Sequence, residues 1–343
     1  MKNHTFWNEL SRPITVMAPM SGVTDPAFRW MMAKYSKYGG RDIGDHGKEN
    51  VAGITPGGPD VIYTEFISAD GLFLGDKDEL LKDMRYSEIE RPVVVQFFSP
   101  DPERMKRAAS LAVEMGFDGI DINMGCPDRS VCKQGAGSEL IRSPGLAVKM
   151  IRSVKEGSGG VLPVSIKTRA GYDSDDELED WIGTLLNEDL CALALHARTR
   201  KDMYKVPARW DLIKKAVKIR NTLGVGTLIL GNGDIDSLSD LHDKVKGSGA
   251  DGAMVGRALL GNPRFFSGSP EPSPEERLGV LIEHCELFHD LFRERKSFAM
   301  VKKHFRGYVS GWEGSKELRS ALMEAEDPVE IKRTIEEYLK RAR

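Results

Sequence analysis

The sequence predicts an α/β fold, a (β/α)8 TIM barrel followed by a small C-terminal helical domain, and three observations carry that prediction. Eight short, β-branched apolar runs alternate with longer stretches of helical periodicity. The runs are nearly continuous in apolarity, as parallel strands covered on both faces must be. Eight such units in roughly 265 residues match the size of a barrel, whereas a doubly wound open sheet usually holds fewer strands.

The runs are Ile14–Ala18, Val61–Phe66, Val93–Phe97, Gly119–Asn123, Pro163–Lys167, Ala192–His196, Thr227–Leu230 and Asp251–Val255. Between the third and fourth, Ser99-Pro-Asp-Pro-Glu supplies cap, proline and acid where a helix should begin. Met105, Ala108, Leu111, Ala112 and Met115 then recur at helical spacing until Gly116 stops it. Leu178, Trp181, Ile182 and Leu185 mark another helix, and Leu212, Ile213, Ala216 and Ile219 a third. Two segments break the repeat. Gly39 to Pro59 is a Gly-rich, charged insertion, expected to form a loop over one mouth of the barrel and to bear on substrate access. SGSPEPSP, residues 267–274, reads as a linker. Residues 1–266 are therefore assigned to the barrel and 275–343 to helices, on the spacing of Leu281, Cys285, Phe288 and Phe292, of Phe298, Val301, Phe305 and Tyr308, and of Ile331, Ile335 and Leu339.

Composition narrows the class of function. Of 343 residues, 40% are hydrophobic and 29% charged, which supports a real core and excludes disorder. A net charge of −3, from 49 basic and 52 acidic side chains, excludes a globally basic nucleic-acid binder but not a local patch. No apolar run approaches the ~18 residues that span a bilayer, and Met1 to Pro13 lacks the apolar segment of a secretory signal. Four cysteines without a C-x-x-C pair suggest neither a disulfide framework nor a metal site. A soluble, cytoplasmic, monomeric protein with reduced thiols is expected.

In such a barrel, chemistry belongs at the carboxyl ends of the strands. Unusual polar residues fall there in every unit: Pro19-Met20-Ser21, Glu65, Gln96, Asn123 with Cys126, Lys167 with Arg169, His196 with Arg198, Gly231-Asn232-Gly233-Asp234, and Gly256-Arg257. The last two loops are suited to a phosphate. Their glycines let backbone N–H groups approach an anion, and Gly256-Arg257 is expected to open an eighth helix whose N-terminus adds donors. Asp234 has an alternative as the cap of the helix starting near Ser237. Lys167 reads as a cation pointing into the mouth or as a capping salt bridge. Gln96 reads as a contact to a heterocycle edge or as a satisfied polar residue of the interior. His196 is either a ligand contact or structural. Cys126, between Gly125 and Pro127 in a rigid turn, is a candidate acid, nucleophile or redox group, while Cys132, Cys191 and Cys285 read as inert.

The segments MAPMSGVTDPAFR, YTEFISADGL, VVQFFS, GIDINMGCP, GAGSELI, SIKTRAG, ALHARTR, LILGNGDI and GAMVGRALLGNP occur in this order. Together they resemble the tRNA-dihydrouridine synthases, FMN-dependent (β/α)8 barrels with a C-terminal helical RNA-binding domain. The resemblance runs from about Ile14 to Phe266, and KKHFRGY extends it loosely into the helices. It implies that Pro19, Met20 and Ser21 line the flavin ring, that Gln96 and Lys167 contact its polar edge, and that His196, Asn232, Gly233, Asp234, Gly256 and Arg257 hold the ribityl chain and phosphate. It implies Cys126 as the catalytic acid and places Asn123, Arg169 and Arg198 around the uracil or the flavin. Two departures stand out: Ala197 occupies the position where the family usually has glycine, and the insertion is longer than usual.

The implied reaction reduces uridine to 5,6-dihydrouridine, with NADPH or NADH recharging the FMN, a hydride delivered to C6 and a proton from Cys126 to C5. A uridine in folded RNA must be unstacked to reach such a mouth. A local basic window, Arg293, Arg295, Lys296, Lys302, Lys303, His304 and Arg306, offers a grip on tRNA, with Lys302 and Arg306 expected on one face and Val301 and Phe305 packed inward. No metal is called for. Ribosomal RNA as substrate, a free-pyrimidine dehydrogenase of the dihydroorotate or dihydropyrimidine kind, and a non-catalytic RNA-binding protein are the competing readings.

Overall fold

The computed structural model describes residues 5–41 and 57–342. Eight parallel strands close into a barrel in chain order. They are β1 (Ile14–Met17), β2 (Val61–Ser68), β3 (Val93–Phe98), β4 (Gly119–Met124), β5 (Val164–Arg169), β6 (Ala192–His196), β7 (Leu228–Asn232) and β8 (Gly252–Val255). β8 closes on β1 through the register Ile14↔Gly252 to Met17↔Val255. A Cβ at Gly252 would come within 2.2 Å of the Ile14 carbonyl oxygen, so glycine permits this closure.

Strand alternation sorts the core into two layers. Val16, Tyr63, Val94, Ala192, Ala194 and Leu230 fill the barrel with Trp7, while Met17, Ile62, Val95, Leu193 and Leu195 face the surrounding helices. The helices begin where capping chemistry allows. Asp101 accepts from the Glu103 and Arg104 N–H groups ahead of Pro102–Glu114, and Ser237 caps Leu238–Ser248. Ala197, in place of glycine, is fully buried and joins the outer core.

Several expectations need correction. The eighth helix is absent: Gly256 leads only into a 3-10 turn, Arg257–Leu259, because Gly261 (φ +67) and Pro263 cannot continue it. The insertion leaves and returns at the amino ends of the strands, opposite the carboxyl-end mouth. Its described ends show this: Gly57 donates to the Lys37 carbonyl, and Asp60 Oδ2 accepts from Thr15 N at 2.7 Å, at the start of β1. Residues 42–56, its body, lie outside the described residues. Glu65 does not enter the mouth either. The register of β2 on β3 shifts between Tyr63 and Phe66, and Phe66 takes the inward place.

Beyond the barrel, the stretch read as linker ends in a capping box: Ser273 caps Pro274–Phe292. That helix, Phe305–Tyr308, Ser315–Glu324 and Pro328–Ala342 gather around a second apolar cluster. The cluster includes Ala27, Met31 and Tyr35, so the helices are welded to the barrel through its first helix, Pro26–Met32, and the turn after it. No helix among the described residues is long and apolar enough to cross a membrane.

Candidate active site

A cavity of about 890 Å³ opens at the carboxyl ends of the strands, within the range of cofactor pockets. Of the residues singled out in the barrel, Pro19, Met20, Ser21, Gln96, Asn123, Cys126, Lys167, Arg169, His196, Asn232, Gly233, Asp234, Gly256 and Arg257 all line it.

The Cys126 turn is tightly determined. Asn123 Oδ1 accepts from the N–H groups of Gly125 (3.1 Å) and Cys126 (2.9 Å). Arg169 Nε donates to the Gly125 carbonyl at 2.8 Å, and Ser138 N donates to the Cys126 carbonyl at 3.0 Å. The GAGS stretch thus backs the turn. At Gly137 (φ +63) a Cβ would lie 2.8 Å from the Cys126 oxygen, so no side chain fits. Burial pushes the Cys126 thiol above its ordinary pKa, against the opposing hydrogen bond of the Asp128 backbone. The sulfur therefore stays protonated at neutral pH, which suits an acid better than a nucleophile. Cys132 packs against the same turn. It is partly exposed, with Sγ 3.6 Å from the Cys126 carbonyl oxygen and 3.3 Å from Ser138 Oγ.

Beneath the mouth lies a polar chain in the barrel interior that the sequence reading missed in part. Gln96 lines the cavity, and both ends of its amide are hydrogen-bonded. Nε2 donates to Asp121 Oδ2 at 2.6 Å, and Oε1 accepts from Asn123 Nδ2 at 3.0 Å. Asp121 also accepts from Ser165 Oγ at 2.6 Å, and Tyr63 Oη lies 3.0 Å from that hydroxyl. Burial pushes the Asp121 carboxyl up to about 7 against these hydrogen bonds and Lys167. The only sequence signal was three polar residues at inward positions of otherwise apolar strands.

The far wall is cationic. Lys167 makes no hydrogen bond or ion pair among the described residues; burial, then Arg169, pulls its ammonium down to about 8. Burial and the cations Lys167, Arg169, Arg198 and Arg257 hold His196 well below its usual pKa, so its imidazole is neutral. Asp234 does not cap a helix. It accepts from Arg257 and Arg198, each at 2.6 Å, and from Ala208 N at 2.8 Å. At Gly233 (φ +122) a Cβ would meet Ala208 Cβ at 2.8 Å and His196 Cδ2 at 3.1 Å, so the turn is open only to glycine.

Arg198, like Glu65, does not line the cavity: it stands behind the wall. Its guanidinium binds Asp234, the Val206 carbonyl and the His196 ring instead of facing the cavity. Sequence reasoning also missed Tyr204, which has no strand-end position to mark it. This ring is 57% exposed, lines the cavity, and lies 5.2 to 5.9 Å from the guanidinium groups of Arg257, Arg169 and Arg198.

The basic window is thinner than its composition. His304 is fully buried, and Lys296, its side chain 10% exposed, sits between Asp83 (2.5 Å) and Glu65 (3.9 Å). Glu65 is held at about 7, chiefly by burial and then by Asp25. Phe298–His304 is a 3-10 helix, with three residues per turn, so the exposed pair is Lys303 and Arg306 and not Lys302 and Arg306. Lys302 turns onto the Met323 carbonyl at 2.6 Å. Lys303 reaches Gly22, next to Ser21 at the mouth: a Cβ there would lie 3.2 Å from Nζ. Val301 and Phe305 do pack inward.

Comparison with known proteins sets this geometry among relatives. The family described as dihydrouridine synthase matches residues 16–343. A probable tRNA-dihydrouridine synthase of Staphylococcus aureus (strain COL) is 34% identical over 336 residues, covering 97% of this chain and 95% of the relative. Probable tRNA-dihydrouridine synthase 2 of Bacillus subtilis (strain 168) is 34% identical over 337 residues, covering 97% and 96%. Among solved structures, histamine dehydrogenase from Rhizobium sp. 4-9 superposes with a TM-score of 0.52 at 14% identity. That match covers 80% of this chain and 48% of the other, and the likeness is one of fold.

Proposed function

The chain belongs to the dihydrouridine synthase family, and on that premise we propose that it reduces chosen uridines of tRNA to 5,6-dihydrouridine in the cytoplasm, with FMN in the mouth and NADPH or NADH as reductant. The observation that carries the reading is that the Cys126 thiol and the unpaired Lys167 ammonium line one cavity with the two glycine loops.

The residues fit an FMN. Gly233, where a Cβ would strike Ala208 and His196, and Gly256 beside Met20 bring bare backbone to the cavity wall. Arg257 and neutral His196 supply donors for the phosphate and ribityl chain. Asp234 acts through Arg257 and Arg198, which it orients, since a carboxylate facing a phosphate directly would repel it. Pro19, Met20 and Ser21 provide the wall for the ring, with Asn232 below. Lys167 is the cation left over for negative charge on the ring, and Gln96 offers its free amide hydrogen to the ring edge. The cofactor, when bound, supplies the hydride that saturates the uracil at C6.

The chain's own part is orientation and proton supply. Asn123 and Arg169 brace the turn that presents Cys126, whose raised pKa keeps the proton available for C5. Tyr204 gives the rim an aromatic face for a displaced base. Lys303 and Arg306, with Lys302 beside them, continue the positive charge from the mouth onto the helices of residues 275–343, where we place the RNA backbone.

Purified protein loaded with FMN tests this. Oxidation of NADPH should match dihydrouridine formed in transcribed tRNA, and free uracil should not be reduced. Reduction of free uracil without RNA turnover would overturn the proposal.

A further inference from the structure

We propose that Asp121, which does not line the cavity, is a positioning residue that sets the orientation of the Gln96 amide and, through Asn123, the turn that presents Cys126. The argument is one of hydrogen-bond direction. A carboxylate accepts and an amide has one donating and one accepting end. Asp121 Oδ2 accepts from Gln96 Nε2, so Gln96 Oε1 must face Asn123, and it accepts from Nδ2 there. Asn123 Oδ1 is then the end that faces the turn, where it accepts from Gly125 N and Cys126 N. Reversing Gln96 would set oxygen against oxygen at Asp121 and NH2 against NH2 at Asn123. Reversing Asn123 would set its NH2 against two backbone N–H groups. Asp121 at one end and the N–H groups of the turn at the other therefore allow the chain one direction, in a site where unpaired buried groups are costly.

Ser165 and Tyr63 fix Asp121 from the other side. The direction survives if Asp121 is protonated, because its Oδ1 then donates to Ser165 while Oδ2 still accepts from Gln96. An asparagine at 121 keeps the same sense, with its NH2 toward Ser165, whose hydroxyl turns to the Ile120 carbonyl at 3.5 Å. Leucine, of similar size, leaves Gln96 Nε2 with no acceptor, so Gln96 can turn and Asn123 Nδ2 loses its fixed partner.

The role assigned to Cys126 rests on the proposed function, so the test reads the thiol itself as well as turnover. The FMN-loaded full chain is treated with iodoacetamide, and alkylation of Cys126 is followed by peptide mass spectrometry alongside single-turnover reduction of tRNA. Asp121→Leu should speed Cys126 alkylation about fivefold, what one lost hydrogen bond gives, and slow reduction by at least that factor. Asp121→Asn should stay within about twofold of wild type. Asn123→Ala should speed alkylation as Asp121→Leu does, and the double variant should add nothing, because both cut one chain. Wild-type alkylation in Asp121→Leu, multiplying effects in the double variant, or Asp121→Asn behaving like Asp121→Leu would overturn the proposal. Should Asp121→Leu not fold, Gln96→Met cuts the chain one link on and must show the same faster alkylation; wild-type alkylation there would also overturn it. Because alkylation does not depend on the reaction catalysed, a chain that fails to reduce uridine yet keeps this pattern refutes the functional reading alone.

Discussion

Lys167→Met removes one cation from the mouth and keeps most of its stem. Among the described residues the ammonium has no hydrogen-bond or ion-pair partner, and burial with the nearby Arg169 brings its pKa from 10.5 to about 8. At about 1.4 kcal/mol per pH unit, that displacement is worth roughly 3 kcal/mol against the folded state. Water in the open mouth screens the charge, so about half of this, ~1–2 kcal/mol, is the expected gain in stability for the methionine variant. The sign follows from the folded pKa lying below the unfolded one. The cost is complete below about pH 8, fades between 8 and 10.5 as the unfolded chain loses its own proton, and is gone above that window. Urea unfolding of flavin-free wild type and variant at pH 7 and pH 10.5 reads it directly. The variant should be the more stable at pH 7 and equal at pH 10.5, while binding FMN at least tenfold more weakly, the scale of a lost charge-assisted hydrogen bond. Equal stability at pH 7, or an advantage that grows with pH, would refute the placement of a lone buried cation.

Two other predictions concern the helical end of the chain. His284 and His304 are buried as neutral rings, His284 pushed to about 3 and His304 well below its ordinary range, and among the described residues neither His304 nitrogen has a hydrogen-bond partner. Below about pH 6.5 the unfolded chain takes up protons that the folded chain refuses, so stability should fall by up to ~1.4 kcal/mol per pH unit for each ring. His304→Phe, stacking on Phe28, should roughly halve that slope in urea unfolding between pH 6 and 4.5; an unchanged slope would contradict it. Lys303→Glu with Arg306→Glu should weaken tRNA binding and flatten its salt dependence by about 0.7 to 0.9 per lost phosphate contact, leaving the rate at saturating tRNA intact. An unaltered salt slope in filter binding would remove these residues from the RNA path.

The strands were readable to within one or two residues because both of their faces are buried, so each appears as an unbroken apolar run between breakers. Strand-end chemistry was readable for the same reason, since carboxyl ends converge by construction. What escaped depended on facts that a linear pattern does not hold. The register shift in β2 moved Glu65 off the mouth, and the polar interior of Asp121, Ser165 and Tyr63 looked like ordinary strand residues. Arg198 shares the strand end of His196 but turns behind it, onto Asp234. Charge counting cannot tell an exposed lysine from Lys296, which sits against two carboxylates, and a heptad-like spacing does not foresee the 3-10 turn that pairs Lys303 with Arg306. Periodicity says where elements lie, but not at which end the ends of the insertion near Lys37 and Asp60 meet the barrel.

Cys126→Ala is the most direct test of the account. The flavin-loaded variant should keep its FMN, still accept reducing equivalents from NADPH, and form dihydrouridine in tRNA at least a hundredfold more slowly, the contribution of a well-placed general acid. Dihydrouridine formed at the wild-type rate, with the FMN equally well bound, would contradict it.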